Sequence, residues 1–161
     1  MTKRTRIPTV QELAQHARDL AQAFDIALLE EVGLRPHEAR AIQLSPKGSS
    51  AGQKMVVMTV IVDETSYATA LHEIGHCVAP LGFVLDHGGQ DMTLVQERAA
   101  WEWARHYSLD WTIAMEQCAT LALGSYEQME AANAQQRAVQ KEQDARRSGA
   151  LKGWLKKKVG L

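Results

Sequence analysis

The amino-acid sequence predicts an α+β fold, with a small antiparallel sheet beside one central helix and a C-terminal half that is mostly helical. Apolar residues recur first at helical spacing, then in two strand-like runs, and then at helical spacing again. At 161 residues the chain suits one domain, and its 45% hydrophobic content is ordinary for a globular protein.

The first predicted element is a helix over residues 9–34. Thr9 and, three residues later, Glu12 form a capping-box pattern, and apolar residues follow at helical spacing. We expect Gly33 to end this helix and a second short helix to begin at Pro36.

Two strand-like runs come next, "ARAIQLS" at 39–45 and "QKMVVMTVIVDE" at 53–64. The segment between them, "PKGSSAG", has the proline, glycine and serine content that is typical of a turn. We therefore expect a β-hairpin, or two strands of a small antiparallel sheet, with the second strand well buried.

The helical pattern returns over residues 66–79, where Thr65 or Ser66 is the expected N-cap and Pro80 the expected stop. A glycine-containing loop is predicted at 82–91.

Further helices are predicted over 94–108, where Thr93 and Gln96 provide a cap, and over 111–124, which follows Asp110. Both contain apolar residues at helical spacing.

The remaining chain is polar. We predict a long polar helix over 125–147 and a basic tail over 148–161, so that the single domain spans 1–124 with its core at about 40–108. The tail is either a disordered solubilising segment or a contact for nucleic acid, an acidic partner or a membrane surface.

The stretch "TALHEIGHCV", residues 69–78, contains His-Glu-x-x-His. Residues four apart lie on one face of a helix, so His72 and His76 can present imidazole nitrogens to one metal ion. Glu73 is then close enough to reach a water on that metal as a general base. Gly75 inside the helix suggests close packing against a neighbouring backbone. The alternative is two histidines that fall four apart by chance.

A catalytic zinc site needs a third protein ligand. Glu97 is the best candidate because Ala100 and Ala104 on its helix would allow close approach to the metal helix. His87 in the loop is the alternative, and Glu102 points nearly the opposite way and should be solvated.

These residues resemble the ImmA/IrrE family of metallopeptidases, gluzincin-like zinc proteins of bacteria, phages and mobile elements. The similarity runs through "VIVDE", "ALHEIGHCV" and "ERAAWEWA", where Glu97, Ala100, Trp103 and Ala104 match a helix reading E-x-x-A-x-x-(F/W)-A. The helix then continues as "RHYSLDWT" where the family often has a "LLMP"-like segment.

The resemblance implies a zincin-like fold and one Zn²⁺ per chain, held by His72, His76 and Glu97, with Glu73 as the catalytic base. It implies an endopeptidase whose substrate is a protein, typically a repressor or transcriptional regulator. His106, close to the face of Glu97, could donate a hydrogen bond to the oxyanion of the tetrahedral intermediate. The alternative for His106 is a partly exposed histidine at a helix end.

The composition indicates which partners and which cellular location we expect. The net charge of −1 does not indicate a nucleic-acid partner, and no apolar run is long enough for a membrane span. Two cysteines, Cys77 and Cys118, do not make a disulfide framework, and we read Cys77 as a buried thiol. No secretory signal is evident, so a cytoplasmic protein is expected.

Two other functions remain open at the level of the sequence. The chain could be a metal-bound binding module that contacts a regulator through its polar helix and tail. It could also be a metal-free helical adaptor. Loss of Glu73 would distinguish the binding module from the enzyme, because Glu73 ligates nothing.

Overall fold

The computed structural model describes the backbone of residues 6–31, 34, 38–44, 53–79 and 94–159, and the side chains of these residues except 43–44 and 148–159. The described residues form four helices and a three-stranded mixed sheet, in the order α1–β1–β2–β3–α2–α3–α4. The α+β prediction and the mostly helical C-terminal half are therefore confirmed.

Helix α1 (Val10–Ala23) begins as the sequence predicts. The Thr9 side chain accepts the Glu12 amide, and the Glu12 carboxylate accepts the Thr9 amide at 2.7 Å, which completes the capping box. One face of the helix is buried in the core: Leu13, Ala14, Ala17 and Ala21.

The predicted continuation of this helix to Gly33 is wrong. Asp25 takes a left-handed conformation with φ of 55°, and Ile26–Glu30 is strand β1, paired in parallel with β3. Asp is one of the few residues that tolerate this conformation. The apolar run after Asp25 is compatible with both helical and strand periodicity, and its pairing with the distant strand β3 makes it a strand.

Strands β2 (Ala39–Leu44) and β3 (Gln53–Met58) are antiparallel, as predicted. The sheet as a whole is mixed, with the order β1–β3–β2, so the expectation of a purely antiparallel sheet is wrong. Strand β3 also ends at Met58, earlier than predicted. The helix expected from Pro36 and the turn at 46–52 lie outside the described residues.

Helix α2 (Glu64–Val78) has Asp63 as its N-cap, which corrects the expected cap at Thr65 or Ser66. The Asp63 carboxylate accepts the Ser66 amide at 2.7 Å, and the Ser66 hydroxyl accepts the Asp63 amide at 3.0 Å. Ser66 is therefore the N3 residue of a capping box and not its N-cap.

Helix α3 (Leu94–Tyr107) packs against α2 and completes the core. The side chains of α2 and α3 that lie fully in this core include Leu71, Ile74, Ala100 and Ala104. Pro80, the loop at 82–91 and the Thr93 cap lie outside the described residues.

Helix α4 (Ile113–Val159) is a single helix where two helices and a tail were expected. The chain divides into two compact units, Met1–Leu123 and Gly124–Leu161. In the second unit every residue from 127 to 147 is exposed, and the backbone is helical as far as Val159. None of the helices in the described part of the chain is long and apolar enough to cross a membrane.

Candidate metal centre

Three buried side chains bring their ligand atoms together: His72, His76 and Glu97. The two histidine Nε2 atoms are 3.0 Å apart, His72 Nε2 lies 3.2 Å from Glu97 Oε2, and His76 Nε2 lies 3.4 Å from Glu97 Oε1. Ligands bonded to zinc at about 2.0–2.1 Å in a tetrahedral arrangement are roughly 3.4 Å apart. The three residues are thus close enough to bind one metal ion.

The packing of α3 on α2 creates this arrangement. His72 and His76 are one turn apart on α2, and Glu97 is in the first turn of α3. A Cβ atom at Gly75 would lie 2.7 Å from the Ala100 carbonyl oxygen, so only glycine lets the two backbones come this close. The close packing inferred from Gly75 is confirmed.

The charges at the site suit a cation. Burial by itself would raise the pKa of Glu97, but contact with the two imidazoles lowers it to about 2. Burial lowers the pKa of His72, so that its imidazole is favoured in the neutral form. A carboxylate and a neutral imidazole are the protonation states that bind metal.

The hydrogen bonding of Glu97 supports the same conclusion. Its side chain is completely buried, and neither oxygen has hydrogen-bond geometry with any group in the described part of the chain. A buried carboxylate is costly unless a partner compensates its charge, and a metal ion held between Glu97 and the imidazoles would do so. The residues present therefore fit a metal ion.

Glu73 lies beside these ligands. Its Oε1 is 4.0 Å from His72 Nε2, and its Oε2 accepts the backbone amide of Ala41 on β2 at 2.7 Å. Burial raises the pKa of Glu73 to about 7, against the opposing effects of His76 and the Ala41 amide. A carboxyl group with a pKa near neutrality suits proton transfer at neutral pH.

Trp101 also contacts the site, which the motif residues did not indicate. The indole is buried and stacks on the His72 ring with 4.2 Å between ring centroids. His72 Nδ1 is buried with no hydrogen-bond partner among the described residues, and the indole packs against the face of this ring. The available signal was the spacing, since Trp101 is one helical turn after Glu97.

The other candidates lie apart from the three ligands. His106 is exposed and packs edge-on against Tyr107 at 4.9 Å, and no contact joins it to the ligands in the described part of the chain. Its role at the oxyanion stays a prediction. Glu102 is exposed and Cys77 is buried, both as predicted. His87 lies outside the described residues.

No protein-family model, curated protein or solved structure matches this chain. Membership of the ImmA/IrrE family therefore stays a prediction that rests on the residues of the motif and the second helix.

Proposed function

We propose that this chain is a zinc-dependent endopeptidase of the ImmA/IrrE type. One observation carries the proposal: Glu73 stands beside three buried ligand groups, His72, His76 and Glu97, with one of its oxygens directed towards them. Two imidazoles, one carboxylate and an adjacent second carboxylate are the groups that a hydrolytic zinc site requires.

The ligand set favours zinc over harder cations. Calcium and magnesium are bound mainly by oxygen atoms, whereas two imidazole nitrogens with one carboxylate are typical of catalytic zinc sites. When bound, the ion would supply a Lewis acid that polarises the scissile carbonyl and lowers the pKa of water to about 7.

The chain's own residues then provide the proton transfers. Glu73 accepts the proton of the attacking water through the oxygen that faces His72, and passes it to the nitrogen of the leaving amine. Since Glu73 is not a ligand in this assignment, replacing it removes the base and leaves the three ligands in place.

The substrate would be a protein segment in extended conformation. Strand β2 is at one edge of the described sheet and lies against α2, so a peptide could add beside it as a further strand. A transcriptional repressor is the substrate class that the resemblance suggests.

The test combines zinc content with cleavage of a fluorescence-quenched library of extended peptides. We expect the wild type to bind one zinc ion and to cleave, and Glu73→Gln to keep zinc while losing activity by at least about 100-fold. Glu102→Gln is the matched control, because it changes an exposed glutamate on α3. Zinc retention with the wild-type rate in Glu73→Gln would contradict the mechanism. A wild type that binds zinc without cleaving would favour the binding module.

A further inference from the structure

We infer that the backbone amide of Ala41 is a positioning group for the Glu73 carboxylate, supplied by the sheet edge along which the peptide would bind. The inference rests on the proposed function and deepens it. The Ala41 amide donates to Glu73 Oε2 at 2.7 Å, and the two residues are 32 positions apart in the chain.

The register of the sheet shows why this amide is available. Opposite residues in an antiparallel pair alternate between hydrogen-bonded and non-hydrogen-bonded pairs. The Thr59 amide donates to the Glu38 carbonyl, which makes that pair hydrogen-bonded and places Ala41, opposite Val56, in the non-bonded class. The amide of Ala41 is therefore directed away from β3 and towards α2.

The contact gives the two carboxylate oxygens of Glu73 different roles. Oε2 is held by the Ala41 amide, and Oε1 is directed towards His72 Nε2 at 4.0 Å. A hydrogen bond from an amide to a charged carboxylate is stronger than a neutral one. With one oxygen fixed on the strand, the other has a defined position beside the ligands, which is what a general base needs.

The same register determines which backbone amides of β2 are available to a bound peptide. The amides of Ala39 and Gln43 have the same parity as that of Ala41 and are also directed away from β3. Because Glu73 already occupies the Ala41 amide, the peptide backbone pairs with the positions on either side of it. The Ala41 amide should then affect kcat through Glu73, and the Ala39 amide should affect KM through its hydrogen bond to the peptide.

Two proline substitutions separate these roles. Proline is tolerated on an edge strand where the amide does not serve the ladder, and this holds for both Ala41→Pro and Ala39→Pro. We expect Ala41→Pro to lower kcat by about 100-fold with KM nearly unchanged. We expect Ala39→Pro to raise KM by about fivefold with kcat nearly unchanged, because one backbone hydrogen bond to the peptide is lost. Zinc content and thermal unfolding of both variants check that the fold is intact. Equal losses of kcat in the two variants would overturn the inference.

Amide hydrogen exchange tests the contact without any activity. In the zinc-loaded protein, Glu73→Ala should speed exchange of the Ala41 amide by about tenfold and leave Ala39 and Gln43 unchanged. Unchanged exchange at Ala41 would overturn the inference, whatever the peptidase assay gives. If exchange responds but the wild type cleaves no peptide, the proposed function fails and the contact between Ala41 and Glu73 stands.

Discussion

Two glycines inside helices mark two regions of this protein that are built differently. At Gly75 on α2 an added Cβ would lie 2.7 Å from a carbonyl oxygen of α3, whereas at Gly124 on α4 it would have no described group within 4 Å apart from its own stretch of helix backbone. Around Gly75 the side chains are buried and carry the candidate metal ligands. From residue 127 to 147 the side chains of α4 are all exposed.

The comparison shows that a glycine in a helix does not by itself indicate close packing against another helix. At Gly75 it permits the approach of two backbones, and that approach brings Glu97 to the histidines. At Gly124 it only weakens the helix, by about 1 kcal/mol relative to alanine. The first three predictions test whether metal binding depends on the packing around Gly75, and the last concerns a contact between α1 and α2.

The largest expected effect comes from the ligand on α3. Glu97→Ala should reduce zinc affinity by far more than about 100-fold, because it removes a ligand. Losses of about 10–100-fold are typical of mutations at residues that contact a ligand but not the metal. Titration with a chelator of known affinity measures the loss. Glu102→Ala, on the exposed side of the same helix, is the control. Near wild-type affinity in Glu97→Ala would show that this glutamate is not a ligand.

The glycine comparison itself gives the second prediction. Gly75→Ala should destabilise the protein by about 1–3 kcal/mol and weaken zinc binding, because α3 must move away from α2. Gly124→Ala should instead raise helix stability by up to about 1 kcal/mol and leave zinc binding unchanged. Circular dichroism during thermal unfolding, with zinc titration, measures both. The comparison breaks down if the two variants behave alike.

A smaller effect is expected at Trp101, which stacks on His72. Trp101→Leu should lower zinc affinity by about tenfold and change the visible spectrum of the cobalt-substituted protein, because the His72 ring loses the surface that orients it. Trp103 provides the control, since it packs on Phe24 and Tyr107 instead. Trp103→Leu should cost stability with little change in metal affinity. The reverse pattern would rule out Trp101 as an orienting residue.

The smallest prediction concerns pH and a contact between α1 and α2. The Leu109 amide donates to the Tyr67 hydroxyl, and that hydroxyl also lies within hydrogen-bond distance of His16 Nδ1, at 2.7 Å. Burial lowers the pKa of His16 in the folded protein, so the unfolded chain binds a proton first, near pH 6.5. Stability from this group is complete above about pH 6.5 and is lost as the pH falls below it.

Comparing the pH dependence of unfolding in the wild type and in His16→Gln isolates this contribution, because the other histidines are common to both. The variant should show a shallower loss of stability below pH 6.5. An identical slope in His16→Gln would mean that burial of His16 does not discriminate between its protonation states.

Local features were predictable from the sequence. The capping box of Thr9 and Glu12 depends on residues three apart, and the alignment of His72 and His76 depends on one helical turn. The burial of Val56, Val57 and Met58 in β3 follows from its own apolar run, although Val60 and Val62 further along the predicted strand are exposed. In each case the interacting groups are near neighbours in the chain, so helical or strand geometry alone brings them together.

Features that depend on a distant partner were less predictable. The segment Ile26–Glu30 fits a helix by its periodicity, and it becomes a strand because β3, more than twenty residues later in the chain, offers its backbone. The single helix α4 was divided at Gly124, although a glycine with open space around it need not end a helix. The sequence could not indicate that the Ala41 amide contacts Glu73, because almost every residue type has the same backbone amide.

The sequence by itself therefore determined that two histidines lie one turn apart on a helix, with a glutamate directly after the first. It also determined which glutamate on the next helix is accompanied by small residues. Only the tertiary structure decided that Glu97 lies 3.2 Å from His72 and 3.4 Å from His76. The physical reason is that helix geometry fixes spacing within an element, whereas the distance between elements depends on how closely their backbones pack, here at Gly75 and Ala100.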